Sequence, residues 1–455
     1  MPPFKVIIVG GGPAGLIAGH CLAKADIDFV ILERRASHDP LAGGSNALWP
    51  QSVRVFDQLG LLEEARKIYS PVNHKLSLTG DGTAYYKSDL FAQIEVLHGH
   101  PFTMFHRGEL IAMLERRLPG RAERFHTDKQ VTAIETDESG VCVVCADGSR
   151  FEGSMVIGAD GVHSTVRQMM LEKSSNKSED NAMETTYVGL YGTCSPLPKL
   201  EPGTFYETHG SGYSLQLGVG QTCGYFLLYH RLPRPTRARH QFTRDEIEAM
   251  VDKYADIHFT PDYSMRDVWE AKRWHHMAHI EEGLPKTWYG ERVVLLGDAV
   301  HKMTPNVGFG FNNGIMSAVA LTNGLRKLLL VTNKKDEGII STQALQGVFA
   351  DWERLRKPQA KKAVELSALY SRVVAWDNLF YRVVDRYITP RLDGDVLLLK
   401  TLTSPLVQEG LVLDFVAETH FKEGPKRWKI PEMKLATVAG STDGEVKDGA
   451  VSDSQ

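Results

Sequence analysis

Three glycines near the N-terminus have a spacing that suits a phosphate group. Gly10, Gly12 and Gly15 form the pattern G-x-G-x-x-G directly after the apolar run at 5–9 and at the start of a helical stretch. The first glycine permits a tight turn, the second lets a pyrophosphate approach the backbone, and the third lets helix and strand pack closely. The free N–H groups of the helix N-terminus then face the phosphates. We predict a dinucleotide-binding site here.

Three acidic residues stand at the ends of predicted strands. Glu33 closes the second apolar run, 23 residues after Gly10, where its carboxylate can accept hydrogen bonds from both ribose hydroxyls of an adenosine. Asp160 and Asp298 follow the buried-strand patterns "VIGADG" and "VLLGDA". The carboxyl ends of parallel strands open into one crevice, so we expect the three acids to meet there. The alternative is a glycine turn with a solvated glutamate.

The two later acids favour FAD over NAD as the dinucleotide. A protein that binds only a nicotinamide cofactor does not need two further acid-tipped strands late in the chain. A cofactor with a ribityl chain does, because its hydroxyls need acceptors along the whole length. We therefore predict that Asp298 accepts hydrogen bonds from the ribityl hydroxyls of a flavin.

The sequence around these residues predicts the elements that position them. Stretches 51–70 and 107–118 are typical of amphipathic helices, 129–157 of a strand meander, 183–280 of antiparallel strands with a helix at 244–255, and 343–392 of helices. The polar stretch 168–182 indicates a boundary. We predict five parts: a first FAD-binding part at 1–175, a β-rich substrate domain at 176–285, a second FAD-binding part at 286–340, a C-terminal helical region at 341–435, and a disordered tail at 436–455.

Composition excludes several classes of protein. The 455 residues are 42% hydrophobic and 24% charged with a net charge of −4, so no basic surplus indicates a nucleic-acid partner. The five cysteines are scattered and odd in number, which favours a reducing, cytoplasmic location. Cys142 and Cys145 have a metal or redox spacing, but "VCVVCA" is typical of a strand, in which residues three apart point to opposite faces.

Membrane and metal-binding features are weak in the sequence. The N-terminal apolar run is too short for a signal peptide. The longest apolar stretch, 396–416, is interrupted by Lys400, Pro405, Gln408 and Glu409, so we expect no transmembrane span. A buried helical segment is the favoured interpretation of this stretch, and a peripheral membrane contact is the alternative. The histidines show no metal-ligand spacing, so we expect no metal site.

Four motifs together carry a family resemblance. "GGGPAG", "HRGEL" at 106–110, "GADGVHSTVR" and "GDAVHKMTPNVGFGFNNG" occur in the order seen in single-component FAD-dependent monooxygenases of the aromatic hydroxylase type. The resemblance spans most of residues 4–330, and "ERR" with "GDAVHKMTP" is most similar to fungal secondary-metabolite enzymes of the paxilline-type epoxidase group. It implies an α/β fold: a Rossmann-like FAD-binding domain of the para-hydroxybenzoate hydroxylase type, an antiparallel β-rich substrate domain and C-terminal helices.

The resemblance also implies roles for individual residues near the dinucleotide. Glu33 would bind the adenosine ribose, and Arg107 would lie near the FAD phosphates or the ribityl chain. Asp160 with Gly161 would bridge the FAD and nicotinamide regions, and Asp298 would bind the ribityl hydroxyls. The cofactor would be lined by Gly43 or Gly44.

A second group of residues is implied at the flavin ring. Pro305, Gly308 and Gly310 would run beside the isoalloxazine, and a helix starting near Asn312 would direct its N-terminus at the pyrimidine end, where its dipole stabilises the negative charge of reduced flavin. The chain departs from the family at two places. Phe311 replaces a frequent glycine and would narrow the flavin-side wall, and Met316-Ser317-Ala318 replaces an acid–alanine pair.

The absence of a second G-x-G-x-x-G motif bears on the reductant. It suggests that NAD(P)H docks transiently, reduces the flavin and leaves, as in the resembled family. Oxygen would then form a C4a-hydroperoxide that passes one oxygen atom to an electron-rich substrate. The protein would position a hydrophobic small molecule and exclude water. His301 is expected to support the glycine turn.

The substrate pocket is expected between the β-rich segment and the flavin, with a mostly apolar lining. Tyr187, Tyr191, Tyr213 and Tyr225 fall in the strands that would form its wall. Tyr213 is the candidate functional tyrosine, because the resembled family often has an aromatic residue at this strand. Ordinary sheet tyrosines are the alternative for all four.

Several functions remain open at this point. Epoxidation of a prenyl, terpenoid or polyene olefin requires the least help from the protein and is the leading expectation. Hydroxylation of an aromatic or indole ring by the same flavin chemistry is the first alternative. A flavin oxidase or dehydrogenase would need no transient NAD(P)H, and a prenyl-protein carrier of related fold would have no working flavin.

Overall fold

Two large sheets and a set of C-terminal helices build the protein, as seen in a computed structural model. The structure describes residues 4–173, 183–335 and 340–429. The predicted boundary at 175–176 and the predicted disordered tail at 436–455 lie outside these residues.

The strands follow the apolar and alternating runs of the sequence. Cys142 is half-buried and Cys145 buried on opposite faces of one strand, which confirms the strand interpretation of this pair. In chain order the strands are β1 (Lys5–Val9), β2 (Asp28–Leu32), β3 (Ser45–Leu48), β4 (Tyr69–Pro71), β5 (His74–Leu78), β6 (Ala84–Ser88), β7 (Thr103–His106), β8 (Phe125–His126), β9 (Val131–Thr136), β10 (Val141–Cys145), β11 (Arg150–Gly153), β12 (Met155–Gly158), β13 (Glu184–Cys194), β14 (Thr204–Gly210), β15 (Tyr213–Val219), β16 (Gly224–Thr236), β17 (Lys272–Glu282), β18 (Tyr289–Gly290) and β19 (Val293–Leu295).

The helices include those expected near 51–70, 107–118 and 244–255. They are α1 (Pro13–Lys24), α2 (Pro50–Leu59), α3 (Leu62–Arg66), α4 (Leu90–His98), α5 (Arg107–Arg116), α6 (Arg121–Arg124), α7 (Thr165–Glu172), α8 (Arg244–Lys253), α9 (Met265–Glu270), α10 (Phe309–Lys335), α11 (Thr342–Val374), α12 (Leu379–Val383), α13 (Thr389–Leu392), α14 (Gly394–Leu398) and α15 (Ser404–Gln408). Two π-helical turns, Val384–Ile388 and Leu399–Thr403, join α12 to α13 and α14 to α15.

The first large sheet is the cofactor sheet, with the strand order β18-β19-β12-β1-β2-β8. Strands β2, β1, β12 and β19 are parallel to one another, as their near-continuous apolar runs predict for strands covered on both faces. Val6, Ile7 and Ile8 of the central strand are fully buried. The carboxyl ends of these strands therefore lie at one edge of the sheet, which we call the cofactor edge.

The second large sheet has the order β17-β13-β16-β15-β14-β5-β6 and is antiparallel except between β14 and β5. Strands β5 and β6 come from residues 74–88, inside the range predicted as the first FAD-binding part. Their short, alternating sequences "HKLSL" and "AYYKS" suit the edge of a sheet. The chain thus enters this sheet before it completes the cofactor sheet.

Helix α10 is the central helix of the C-terminal half and contacts α1 and α11. Among the described residues it holds the one segment, Phe309–Thr332, that is long and apolar enough to cross a membrane, and 50% of its most apolar window is buried inside the protein. That burial is typical of a core helix. In the stretch 396–416, predicted as a buried helical segment, residues 410–413 are buried but lie after the end of α15, and Leu397 and Leu402 in the helical part are exposed.

A buried charge cluster fastens the C-terminal helices to the second sheet. Lys75 Nζ of β5 lies 2.8 Å from Glu207 Oε2 of β14 and 3.0 Å from Asp395 Oδ2 of α14. His209 of β14 lies between Glu207 and Asp385, at 3.1 Å and 2.8 Å. Each of these side chains is less than a tenth exposed. Because an unpaired charge here would be costly, the cluster holds these five residues in one arrangement.

The histidine of this cluster is charged at neutral pH. Burial lowers the pKa of His209, but Asp385 and Glu207 raise it by more, to about 9. Burial likewise raises the pKa of Glu207, while Lys75 and His209 hold it well below its usual range. The folded protein therefore keeps a proton on His209 that the unfolded chain releases at a lower pH.

The raised pKa of His209 makes the free energy of unfolding depend on pH. We expect the free energy of unfolding to decrease as the pH rises from 6.5 to about 9, because the stabilised imidazolium is lost over that window. The full contribution is about 3 kcal/mol and is complete below the unfolded pKa. Urea unfolding at a series of pH values measures it. His209→Gln is the control and should lack this slope; an identical slope in both proteins would show that another group titrates.

Candidate functional site

A cleft of about 1140 Å³ lies between the cofactor edge and the second sheet. Glu33, Asp160 and Asp298 all line it, so the structure brings the three strand-end acids together. The other predicted cofactor residues that line it are Gly10, Gly12, Gly43, Gly44, Arg107, Pro305, Gly308, Gly310 and Phe311. Gly15 lies behind the turn, where it packs against Gly10.

The glycine turn has the geometry that a pyrophosphate requires. Gly10 has φ +111°, and a Cβ there would stand 2.5 Å from the carbonyl oxygen of Ala159. A Cβ on Gly15 would stand 2.0 Å from the carbonyl oxygen of Gly10. By contrast, a Cβ on Gly12 would meet no described atom within 4 Å, because this residue borders the cleft at the start of α1. The first-turn N–H groups are thus accessible to an anion.

Glu33 is fixed at the end of β2 by backbone groups. The Gly11 N–H donates to its Oε2 at 2.8 Å, and the Arg35 N–H donates to its Oε1 at 3.0 Å. The side chain is 6% exposed. These bonds hold the carboxylate beside the glycine turn, where a ribose on the same dinucleotide would meet it.

Asp298 follows β19 and forms an ion pair that the sequence analysis missed. Lys302 Nζ donates to Asp298 Oδ2 at 2.6 Å, and Asp298 Oδ1 lies 4.0 Å from where a Cβ on Gly310 would stand. Burial raises the pKa of Asp298, but the Lys302 ammonium lowers it by more, so the carboxylate is ionised at neutral pH. The i,i+4 spacing in "DAVHK" was the available signal.

Asp160 has a local structural task in addition to its place in the cleft. Its carboxylate accepts hydrogen bonds from Ser164 Oγ at 2.5 Å and from the N–H groups of Thr165 and Val166 at 2.7 and 3.1 Å. It therefore satisfies the free N–H groups at the start of α7. A contact of Asp160 and Gly161 with the nicotinamide region stays a prediction.

Arg107 and the two glycines at 43–44 form one side of the cleft. The Arg107 N–H donates to the Gly44 carbonyl at 3.0 Å, and Gly43 has φ +114°. A Cβ on Gly43 would stand 3.0 Å from Arg107 Cβ. The glycine thus lets this loop pack directly on the first residue of α5, which brings the Arg107 side chain to the cleft.

The loop before α10 is held by one asparagine. Asn312 Oδ1 accepts from the Trp49 N–H at 2.9 Å, and its Nδ2 donates to the carbonyls of Ala47 and Gly308 at 3.0 and 2.8 Å. The helix begins at Phe309, three residues before the expected start. Its N-terminus borders the cleft, where the helix dipole favours a negative charge.

His301 contacts α10, and Phe311, which departs from the resembled family, lies in the first turn of this helix. Burial lowers the pKa of the His301 imidazole to about 4. The backbone N–H of His301 donates to the Gly297 carbonyl at 2.9 Å, and the imidazole Nε2 lies 3.0 Å from Ser317 Oγ. It thus packs behind the turn that carries Asp298. Phe311 packs edge-on against Phe56, with ring centroids 6.3 Å apart, and also lines the cleft.

The four candidate tyrosines do not share one face of the second sheet. Tyr191 and Tyr225 line the cleft. Tyr187 instead donates to Asp377 Oδ1 at 2.8 Å. Tyr213 lies on the opposite face, where its ring packs against Tyr254 with centroids 5.1 Å apart. Strand alternation explains the position of Tyr213, because Tyr213, Leu215 and Leu217 share one face of β15 while Gln216 faces the cleft. A catalytic role for Tyr213 stays a prediction that this position does not favour.

Three polar side chains in the cleft were not predicted from the sequence. Lys75, Gln216 and Tyr370 line it, and all three contact Glu207 behind them. Tyr370 Oη donates to Glu207 Oε2 at 2.6 Å, and Gln216 Nε2 donates to Oε1 at 2.7 Å. A lysine at an inward position of the alternating strand "HKLSL" was the only sequence signal.

The site combines a parallel sheet and its glycine turn with acids at the cofactor edge and a second sheet across the cleft. This arrangement is typical of dinucleotide-dependent oxidoreductases. A family model described as an FAD binding domain matches residues 3–342, and the chain belongs to this family. Its cofactor is FAD, and the protein is an FAD-dependent monooxygenase.

Curated fungal relatives extend over nearly the whole chain. FAD-dependent monooxygenase nvfK of Aspergillus novofumigatus is 32% identical and covers 94% of this chain and 91% of its own length. FAD-dependent monooxygenase srdH of Neurospora crassa is 34% identical, with 91% and 96% covered. The resemblance to fungal FAD-dependent monooxygenases is thereby confirmed.

Solved structures show the same fold. HpxO of Klebsiella pneumoniae, complexed with FAD and uric acid, matches with a TM-score of 0.69 at 23% identity and covers 88% of this chain and 97% of its own. The 2,6-dihydroxypyridine-3-hydroxylase of Arthrobacter nicotinovorans matches with a TM-score of 0.63 at 19% identity and covers 83% and 94%. At these identities the likeness establishes the fold alone.

The geometry at Asp298 predicts a cofactor-binding phenotype. We expect Asp298→Ala and Asp298→Asn to weaken FAD binding by about 10- to 100-fold, since a charge-assisted hydrogen bond to the ribityl chain contributes about 1.5–3 kcal/mol. Fluorescence titration of the apoprotein with FAD measures the Kd. Asp351→Ala, at an exposed aspartate on α11, is the control. Unchanged affinity in both Asp298 variants would contradict the role of this acid.

Proposed function

We propose that the enzyme transfers one oxygen atom from O2 to an olefin of a hydrophobic metabolite, such as a prenyl, terpenoid or polyene chain, in a fungal biosynthetic pathway. NAD(P)H serves as a transient reductant. The observation that carries this proposal is a group of apolar side chains among the residues that line the cleft. They are Phe91, Phe102, Met104, Phe205, Leu227, Leu366, Leu398 and Leu399.

The protein's own contribution is positioning and exclusion of water. Bound FAD would supply the redox chemistry, in which NAD(P)H, a proton and O2 are consumed, one oxygen atom enters the substrate and the other leaves as water. The apolar side chains desolvate the substrate. Tyr370 Oη donates to Glu207 and accepts from Lys75, so its remaining lone pair can accept a hydrogen bond from a substrate hydroxyl. An olefin is already electron-rich, so this reaction needs no protein base.

One observation supports hydroxylation of an aromatic ring as the second candidate. His276 lines the cleft near Tyr191, with ring centroids 5.7 Å apart. Burial lowers the pKa of His276, so it is a neutral imidazole that could accept a proton from a phenol. We place this reaction second because it requires a phenol to reach His276, whereas the apolar lining suits an olefin without further help.

The two reactions and the oxidase alternative are separated by product analysis. We expect the purified enzyme, supplied with NADPH and isotopically labelled O2, to add one labelled oxygen atom to a prenyl or polyene double bond. Mass spectrometry of a panel of prenylated phenols, prenylated indoles and polyenes locates that atom. Labelled ring hydroxyls alone would contradict the epoxidase proposal. Flavin that is not reduced by NADPH, with substrate oxidation and peroxide release, would indicate an oxidase.

The cleft lining predicts which substitutions in the second sheet weaken substrate binding. We expect Leu227→Gln to raise KM for an apolar substrate about 10-fold, because a buried amide without a partner costs about 1–3 kcal/mol, while FAD content stays unchanged. Tyr213→Phe, on the opposite face, should alter neither kcat nor KM. Steady-state kinetics with flavin quantification tests both. A large loss of kcat in Tyr213→Phe would instead support the catalytic role predicted from the sequence.

A further inference from the structure

Apolar side chains are concentrated on the outside of residues 379–402. This segment, which we call the outer segment, contains α12, α13, α14, the first π-helical turn and all but the last residue of the second. Leu379 is 73% exposed, Phe380 70% and Leu392 63%, and Tyr387, Leu397 and Leu402 are each about half exposed. Water-facing helices normally turn such side chains inward, and a group of exposed apolar side chains of this kind is typical of a surface that binds a partner.

The polarity of the outer segment is inverted relative to an ordinary surface helix. Its inward face carries Asp385 and Asp395, which are bound by His209 and Lys75 in the buried charge cluster. Its outward face carries the leucines and Phe380. Because the buried ion pairs fix these acids inward, the helices cannot rotate to hide their apolar side chains without exposing or unpairing charges.

The charges around this surface indicate the kind of partner. Arg382, Arg391 and Lys400 are exposed, and Asp393 is the single exposed acid that the structure places at 379–402. This local excess of positive charge contrasts with the net charge of −4 for the whole chain. Apolar side chains beside arginine and lysine match a bilayer surface with anionic headgroups.

We propose that the outer segment docks this enzyme on the surface of an anionic lipid bilayer, with Phe380 and Leu392 entering the acyl boundary and Arg382, Arg391 and Lys400 contacting the headgroups. A second copy of the chain is a less favourable occupant, because symmetric contact would place these basic residues opposite one another. The docking is peripheral, since the segment consists of short helices that lie along the protein.

The outer segment also borders the cleft. Leu398 and Leu399 line the cleft, while Leu397 and Leu402 in the same two turns face outward. Docking would therefore place the bilayer next to a wall of the cleft, and a lipid-dissolved substrate could enter without crossing water. This consequence rests on the proposed hydrophobic substrate, whereas the docking itself does not.

Vesicle binding by the FAD-loaded enzyme tests the docking. We expect co-sedimentation with vesicles of phosphatidylcholine and phosphatidylserine, and at least about 10-fold weaker binding to phosphatidylcholine alone or at high salt. The double variants Phe380→Ser with Leu392→Ser, and Arg382→Glu with Lys400→Glu, should each lose about 10-fold in affinity or more. Leu355→Ser and Arg354→Glu are matched controls on the exposed face of α11.

Three outcomes would overturn the proposal: no binding to either vesicle, equal binding by the outer-segment variants and their controls, or a dimer in sedimentation velocity that the Phe380→Ser, Leu392→Ser variant abolishes. Vesicle binding is measured without substrate, so it does not depend on the reaction. Turnover of a short, water-soluble olefin without vesicles tests the proposed function separately, and the outer-segment variants should retain it.

Discussion

Parallel pairing of β2, β1, β12 and β19 is the constraint on which the site depends. Strands in this arrangement end at the same edge, so a glycine turn near residue 10 and acids at 33, 160 and 298 meet although they are far apart in the sequence. Each acid is held in place by a different set of contacts. Backbone N–H groups fix Glu33, the start of α7 binds Asp160, and Lys302 pairs with Asp298.

A second constraint acts on the other side of the cleft. The charge cluster of Lys75, Glu207, His209, Asp385 and Asp395 links the edge of the second sheet to the last helices. Removing one partner from such a cluster leaves an unpaired buried charge, so the cluster favours one arrangement of the elements that carry it. That arrangement presents polar atoms to the cleft and apolar side chains to the outside, so one cluster bears on both substrate contact and the proposed bilayer surface.

The two sides of the cleft differ in how far sequence reasoning reached. The cofactor side is encoded by short motifs whose residues lie next to the strands that carry them, so the positions of Glu33 and Asp298 in the cleft could be predicted, whereas their contacts with FAD stay predictions. The substrate side is formed by residues whose orientation depends on strand register, and there the expectations were less successful. Tyr213 faces Tyr254 rather than the cleft, and Lys75, Gln216 and Tyr370 were missed.

The sequence by itself determined the class of fold, the cofactor and the residues of the cofactor edge, because hydrophobic periodicity and a glycine turn are local properties that a linear pattern retains. Tertiary structure alone decided which tyrosines reach the cleft, how β5 and β6 join the second sheet, and which face of residues 379–402 is outside. Those features depend on pairing register and on ion pairs between residues more than a hundred positions apart, such as His209 with Asp385 and Lys75 with Asp395, and no local pattern encodes such contacts.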